Sequence, residues 1–134
     1  MYVLDTDIVS LIMRGRLPNA AVEKFERIDD RRIKITSVTL GELYYGALKT
    51  SSAKKWLAAV DQLRRTTACL GFDAEAAADY GALRAYLESK GRRLDDADVR
   101  IAAICRSTGH TLVSGNAKHF ARVPELRYEN WLKL

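Results

Sequence analysis

The sequence predicts an α/β fold, a parallel central sheet with helices on both faces, in a single domain covering residues 1–134. Three observations predict it. Short apolar runs of strand length alternate with longer segments of helical spacing, the pattern of a parallel sheet with helical crossovers. No repeat, low-complexity segment or Pro/Gly-rich linker divides the chain, and 134 residues with 48% hydrophobic content are enough for one core and too few for two. The first apolar run, Val3-Leu4, drops into two acids, Asp5 and Asp7, at the place where open α/β sheets bind ligands.

Tyr2 to Leu4 reads as a buried strand, followed by a helix through Ile8 to Met13 that Asp5 or Thr6 starts. Pro18 marks a second helix start, with Val22, Phe25 and Ile28 at spacings of three. Ile33 to Thr36 is the second strand. Leu40, Leu43, Tyr44 and Ala47 mark a third helix, and Ser51 or Ser52 caps a fourth with a stripe of Trp56, Leu57, Val60 and Leu63. Ala68 to Phe72 is a third strand, weakened by Gly71. Asp73 caps an Ala-rich helix to about Lys90, and Asp95 or Asp96 starts a helix through Ile101, Ala102 and Cys105 that Gly109 ends. Thr111 to Ser114 is the fourth strand, Asn116 to Phe120 a helical turn, and Arg127 to Glu129 a short last strand. Right-handed crossovers place all the strand carboxyl ends along one edge.

Twenty-two Lys and Arg against seventeen Asp and Glu give a net charge of +5, which suits a polyanionic partner. The basic residues cluster at Arg31-Arg32-Ile33-Lys34, Lys54-Lys55, Arg64-Arg65 and Lys90-Gly91-Arg92-Arg93. Solvated helix ends account for part of this pattern. No apolar stretch approaches membrane-spanning length, and the acids at 5 and 7 interrupt the only apolar segment at the N-terminus, which does not read as a signal peptide. Cys69 and Cys105 are isolated among apolar residues and read as buried free thiols of a cytoplasmic protein.

Three acids stand out by position: Asp5 after the first strand, Glu42 early in the helix after the second, and Asp98 in the first turn of the helix before the fourth. Two carboxylates ~4 Å apart repel by about 4 kcal/mol at an effective dielectric of roughly 20. Their convergence requires a raised pKa or a hard cation, Mg²⁺ or Mn²⁺. Each acid also has a bland account. Asp5 can cap a helix, Thr39-Leu40-Gly41-Glu42 matches a capping box, and Asp95-Asp96-Ala97-Asp98 can face a helix dipole.

Four blocks carry a resemblance. Leu4-Asp5-Thr6-Asp7-Ile8-Val9-Ser10, Ile35 to Leu43 with Gly46, Asp98 to Ala103, and Leu112 to Asn116 with Phe120, Arg122-Val123 and Asn130-Trp131 occur in order along nearly the whole chain. In these the sequence resembles a PIN domain, specifically the VapC-type toxins of toxin–antitoxin pairs. The resemblance implies a Mg²⁺-dependent endoribonuclease that hydrolyses RNA phosphodiester bonds with activated water. Asp5 and Asp98 would bind the metal, while Glu42 would join them or orient the water. Asn116 would complete the catalytic set in a position that is often Asp. Asp7 stands where the family usually has Asn, and Asp95 where many relatives have Gly; helix capping is the favoured role for Asp95 and Asp96. Thr6 and Ser114 resemble small hydroxyl residues near that family's site. The resemblance further implies a small VapB-type antitoxin, a homodimer and an RNA substrate. Tyr44, Tyr45 and Trp56 are candidates for the antitoxin groove, and Leu57 and Val60 for the core.

Two other readings remain open on the residues alone. Val3-Leu4-Asp5-Thr6-Asp7 also resembles the opening of haloacid-dehalogenase-type phosphatases, with Asp5 as nucleophile and Thr36 or Ser37 holding phosphate. A basic RNA- or protein-binding module, whose acids only cap helices, is the third.

Overall fold

The computed structural model describes residues 1–133. Its five strands are β1 (Tyr2–Leu4), β2 (Ile33–Thr36), β3 (Ala68–Leu70), β4 (Thr111–Val113) and β5 (Tyr128–Glu129). They form one wholly parallel sheet in the order β3-β2-β1-β4-β5. The seven α-helices are α1 (Thr6–Met13), α2 (Asn19–Glu26), α3 (Ser37–Leu48), α4 (Ala53–Thr66), α5 (Ala74–Ser89), α6 (Asp96–Thr108) and α7 (Ala117–Phe120). Among the described residues, no helix is long and apolar enough to cross a membrane.

β1 is central, with Val3 opposite Lys34 of β2 on one side and Leu112 of β4 on the other. Successive side chains of a strand point to opposite faces, so the sheet feeds two cores. Val3 and Leu112 pack against Leu83 and Leu87 of α5 and Ile101, Ala102 and Cys105 of α6. Leu4, Ile35 and Val113 pack on the other face with Ile8, Val9, Ala21 and Trp131. Helices therefore cover both faces, as the alternation of elements predicts. Trp131 is 1% exposed and takes Phe25 edge-on at 4.5 Å between ring centroids.

Local chemistry explains most element ends. Asp73 accepts from the Ala76 amide at 2.9 Å and starts α5, while Gly109, at φ +72°, ends α6 in the left-handed conformation that glycine takes without steric cost. Four expectations are corrected. The capping box at Thr39 and Glu42 does not form, because Thr36, the last residue of β2, caps α3 one turn earlier by accepting from the Thr39 amide at 3.1 Å. The helix thus leaves the strand without a loop, and Glu42 is released for another partner. Ser52 occupies the N-cap of α4 without a side-chain cap bond. Phe72 lies outside β3, which stops at Leu70 before Gly71. Cys69 is exposed because β3 is an edge strand, whereas Cys105 is buried and its thiol is pushed up to about 12, chiefly by desolvation.

Candidate active site

The carboxyl ends of β1, β2 and β4 lie side by side, and each hands its chain directly to a residue of the acid cluster or its supports. Asp5 follows β1 and is only 3% exposed. Its amide donates to the Val113 carbonyl at 2.9 Å, so the sheet ladder fixes its backbone. Its Oδ1 accepts from the Thr6 amide at 2.8 Å as the N-cap of α1, and Oδ2 accepts from the Ser114 hydroxyl at 2.7 Å. The bland and the functional accounts of Asp5 are therefore both met by one geometry.

Burial lifts the pKa of Asp5 to about 7, the neighbouring charge of Asp7 adds to the rise, and the Ser114 hydrogen bond works against it. Asp98, half-buried in the first turn of α6, is raised to about 6, first by desolvation and then by the charges of Asp95 and Glu42, with His119 pulling it down. Asp98 also contributes to the rise at Asp5. Asp5, Asp7, Glu42, Asp95, Asp98 and His119 thus share one electrostatic neighbourhood.

Glu42 is exposed on α3, and its Oε1 accepts from the Thr6 hydroxyl at 2.7 Å. Asp7 holds the loop after β4: its Oδ1 accepts from the Ile8 amide at 2.8 Å and its Oδ2 from the Gly115 amide at 3.2 Å. A Cβ on Gly115 would stand 2.8 Å from Asp7 Oδ2 and 2.6 Å from Leu132 Cδ1, so any other residue here would push aside the ends of those side chains. Asn116 is exposed as the N-cap of α7. Its amide donates to the Ser114 hydroxyl at 2.9 Å, and its side chain makes no cap bond. Asp95 likewise makes no side-chain cap bond. Asp96 accepts from Arg100 Nε at 2.7 Å and from the Tyr80 hydroxyl; Asp95 thus holds the N-cap position of α6 as expected, but neither acid makes a side-chain cap bond. Sequence reasoning misses Thr36 and Thr39 as supports of this site. Both are fully buried, and their hydroxyls reach Thr6 by hydrogen bonds, a long-range link without a motif.

The groups that meet here present oxygen: the carboxylates of Asp5, Asp98 and Glu42, with the Thr6 and Ser114 hydroxyls hydrogen-bonded to Glu42 and Asp5. Such donors suit a hard cation. Among the described residues, no Lys, Arg or His forms an ion pair with Asp5, Asp7, Glu42 or Asp98. Their mutual repulsion is left for protons or a cation to relieve. Among the described residues, no three His, Cys, Asp or Glu side chains come together as a group that could hold a metal ion by themselves.

The parallel sheet and the acids at its carboxyl edge define a PIN-type domain, and residues 2–126 match the PIN domain family. The chain is 34% identical over 131 residues to ribonuclease VapC2 of Haemophilus influenzae, covering 98% of each. It is 35% identical over 130 residues to the tRNA(fMet)-specific endonuclease VapC of Shigella flexneri, covering 97% of each. The solved structure of DNA-bound VapBC from Salmonella typhimurium superposes with a TM-score of 0.90 at 33% identity, over 97% of both chains. The chain belongs to the PIN-domain family and, within it, to the VapC-type ribonuclease toxins.

Proposed function

We propose that this VapC-type toxin is a Mg²⁺-dependent endoribonuclease that cuts structured RNA, with initiator transfer RNA as the first substrate to assay. The observation that carries the reading is the burial of Asp5 beside Asp98, which Glu42 also neighbours, with none of the three in an ion pair among the described residues. The choice of transfer RNA follows the Shigella relative.

Asp5 and Asp98 would hold the cation. When bound, it would supply Lewis-acid charge at the scissile phosphate and lower the pKa of the attacking water. Ser114 and the Thr6 amide orient Asp5 by donating to its two oxygens. Glu42, whose Oε1 is occupied by Thr6, keeps Oε2 to accept the proton from water. Asn116 would complete the catalytic set with its side-chain amide. The fully buried Thr36 hydroxyl is engaged with Thr39 and is not free to hold phosphate, which disfavours the phosphatase reading.

The partner is a small VapB-type antitoxin, and its seat is the groove between α1, α3 and α4. This cavity, of about 390 Å³, runs from Thr6 and Glu42 past Met13, Leu43 and Val60 to Trp56. It suits an amphipathic segment laid in a groove. Of the residues singled out in sequence, Trp56 and Val60 line it, while Tyr44 donates to Asp61 at 2.5 Å and Tyr45 stays 64% exposed. Tyr45 and Leu48, at 63% exposure on α3, provide apolar surface for homodimer contact.

Incubating the protein with initiator transfer RNA tests the reading. Cleavage with Mg²⁺ that leaves a 5′ phosphate, and is lost with chelator or in Asp5→Asn, is expected. No cleavage together with no Mn²⁺ binding in calorimetry would establish a basic binding module instead.

A further inference from the structure

The hydroxyls of Thr36, Thr39 and Thr6 form a continuous hydrogen-bonded line that ends on Glu42. Thr36 Oγ1 accepts from the Thr39 amide at 3.1 Å and stands 3.4 Å from Thr39 Oγ1. Thr39 Oγ1 stands 3.0 Å from Thr6 Oγ1, which donates to Glu42 Oε1 at 2.7 Å. A threonine hydroxyl has one proton to give. Because Thr6 gives its proton to the carboxylate, which can only accept, Thr39 must be the donor to Thr6. Thr39 has then no proton left, and Thr36 must be the donor to Thr39. The direction of every bond is set by the chain's chemistry: the Thr39 amide to Thr36, Thr36 to Thr39, Thr39 to Thr6, and Thr6 to Glu42.

Three features make this line a device rather than incidental packing. Thr36 and Thr39 are both 0% exposed, so no water competes for their hydroxyls. The line begins at the N-cap of α3, where strand and helix fix Thr36, and crosses to α1, so Glu42 is referenced to two elements at once. Each bond points the same way, and hydrogen bonds in such a chain polarise one another. At its end is a carboxylate that no other side chain of the described residues holds.

We infer that Thr36, Thr39 and Thr6 are positioning residues that fix Glu42 Oε1 through a one-way hydroxyl relay, leaving Oε2 aimed to take the proton from the attacking water. The inference rests on the ribonuclease reading of the site. Its sharpest consequence falls on Thr39, which is out of reach of solvent and substrate. Thr39→Val removes the relay yet keeps the backbone amide that Thr36 caps.

Single-turnover cleavage of initiator transfer RNA, with KM measured separately, tests it. Thr39→Val is expected to lower kcat about tenfold with KM unchanged, the loss of roughly one neutral hydrogen bond. Thr39→Ser restores the rate. In a Thr6→Val background, where the last link is already cut, Thr39→Val produces no further loss. Equal losses from Thr39→Val in both backgrounds, or an effect on KM alone, would overturn the relay. Should Thr39→Val fail to fold, Thr6→Val decides: a parent kcat in that variant overturns the proposal. A parent chain that cleaves, and that Glu42→Gln inactivates, with Thr39→Val at full rate sinks the relay alone. A parent chain that does not cleave removes the ribonuclease reading and the relay with it.

Discussion

The Ser114 hydroxyl donates to Asp5 Oδ2 at 2.7 Å, joining residues 109 apart in sequence across the carboxyl ends of β4 and β1. Ser114 is 1% exposed and itself accepts from the Asn116 amide at 2.9 Å, so its proton is committed to the carboxylate. This bond favours the charged form of a group that burial otherwise keeps protonated. The charged form is the one the proposed cation would require.

Ser114→Ala leaves Asp5 with one protein donor at the same depth. Mn²⁺ affinity is expected to fall about tenfold or more, the usual effect of removing a group that orients a metal ligand. Titration calorimetry with Mn²⁺ reads this without any RNA present. Unchanged affinity would mean that the hydroxyl only supports the turn before α7.

The pH dependence of stability has a definite sign. Asp5 rises to about 7 and Asp98 to about 6 in the fold, against an ordinary 3.8. Below about pH 4 both the folded and unfolded chains carry these protons, and the stabilising contribution is fully present. As pH climbs from there to about 7, the unfolded chain releases its protons first, and stability declines. Metal-free protein should therefore melt at a lower temperature at pH 8 than at pH 5. Asp5→Asn should be more stable than the parent at pH 8 by on the order of 1–3 kcal/mol and show a flatter profile. Mg²⁺ added at pH 8 should raise the parent's melting temperature, since a ligand bound only by the fold stabilises it. Melting that improves from pH 5 to pH 8 without metal contradicts the burial argument.

Glu42 separates a helix cap from a reacting group. Thr36 caps α3, and Glu42 reaches across to Thr6. Glu42→Gln keeps an oxygen for the Thr6 hydroxyl and touches no cap, so stability should change by no more than about 0.5 kcal/mol. Cleavage should fall by roughly 100-fold or more, the range of general acid–base contributions. A variant that loses stability but cuts at the parent rate would restore the capping account.

How far these features can be read in sequence depends on whether their causes are local. Asp5 is legible because an apolar run ending in an acid is a strand meeting a helix start, and both happen within a few residues. Glu42 is legible as an acid after a strand, but its partner is not. The capping-box pattern competes with Thr36, and only the tight β2–α3 junction decides between them. Ser114 and Thr39 act on residues 109 and 33 positions away, distances at which a hydroxyl leaves no periodic trace. Cys69 misleads for a related reason. Its apolar neighbours resemble those of a buried strand, and the edge position of β3 follows from sheet order, which no single segment encodes.

The loop between α5 and α6 offers the last test. Gly91, at φ +65°, turns the chain after α5, and Arg92 and Arg93 then line a cavity of about 250 Å³ with Arg84 and Asp96, two residues before Asp98. Arg84 and Arg100 spend their charge on Asp96 at 3.4 and 2.7 Å. Lys90, Arg92 and Arg93 have no acidic partner among the described residues, which leaves three cations on this loop for phosphates. Replacing all three with Ala should weaken RNA binding and flatten its dependence on log salt by about 2, at roughly 0.7 for each single-stranded phosphate no longer neutralised. Mn²⁺ affinity should stay the same, because none of the three is a proposed ligand. The position of the cut should also stay, since phosphate contacts position RNA without reading bases. Binding measured from low to physiological salt gives the slope, and end-mapping of the product gives the cut. An unchanged slope would show that the loop is a solvated face, and a displaced cut would show that it selects the substrate.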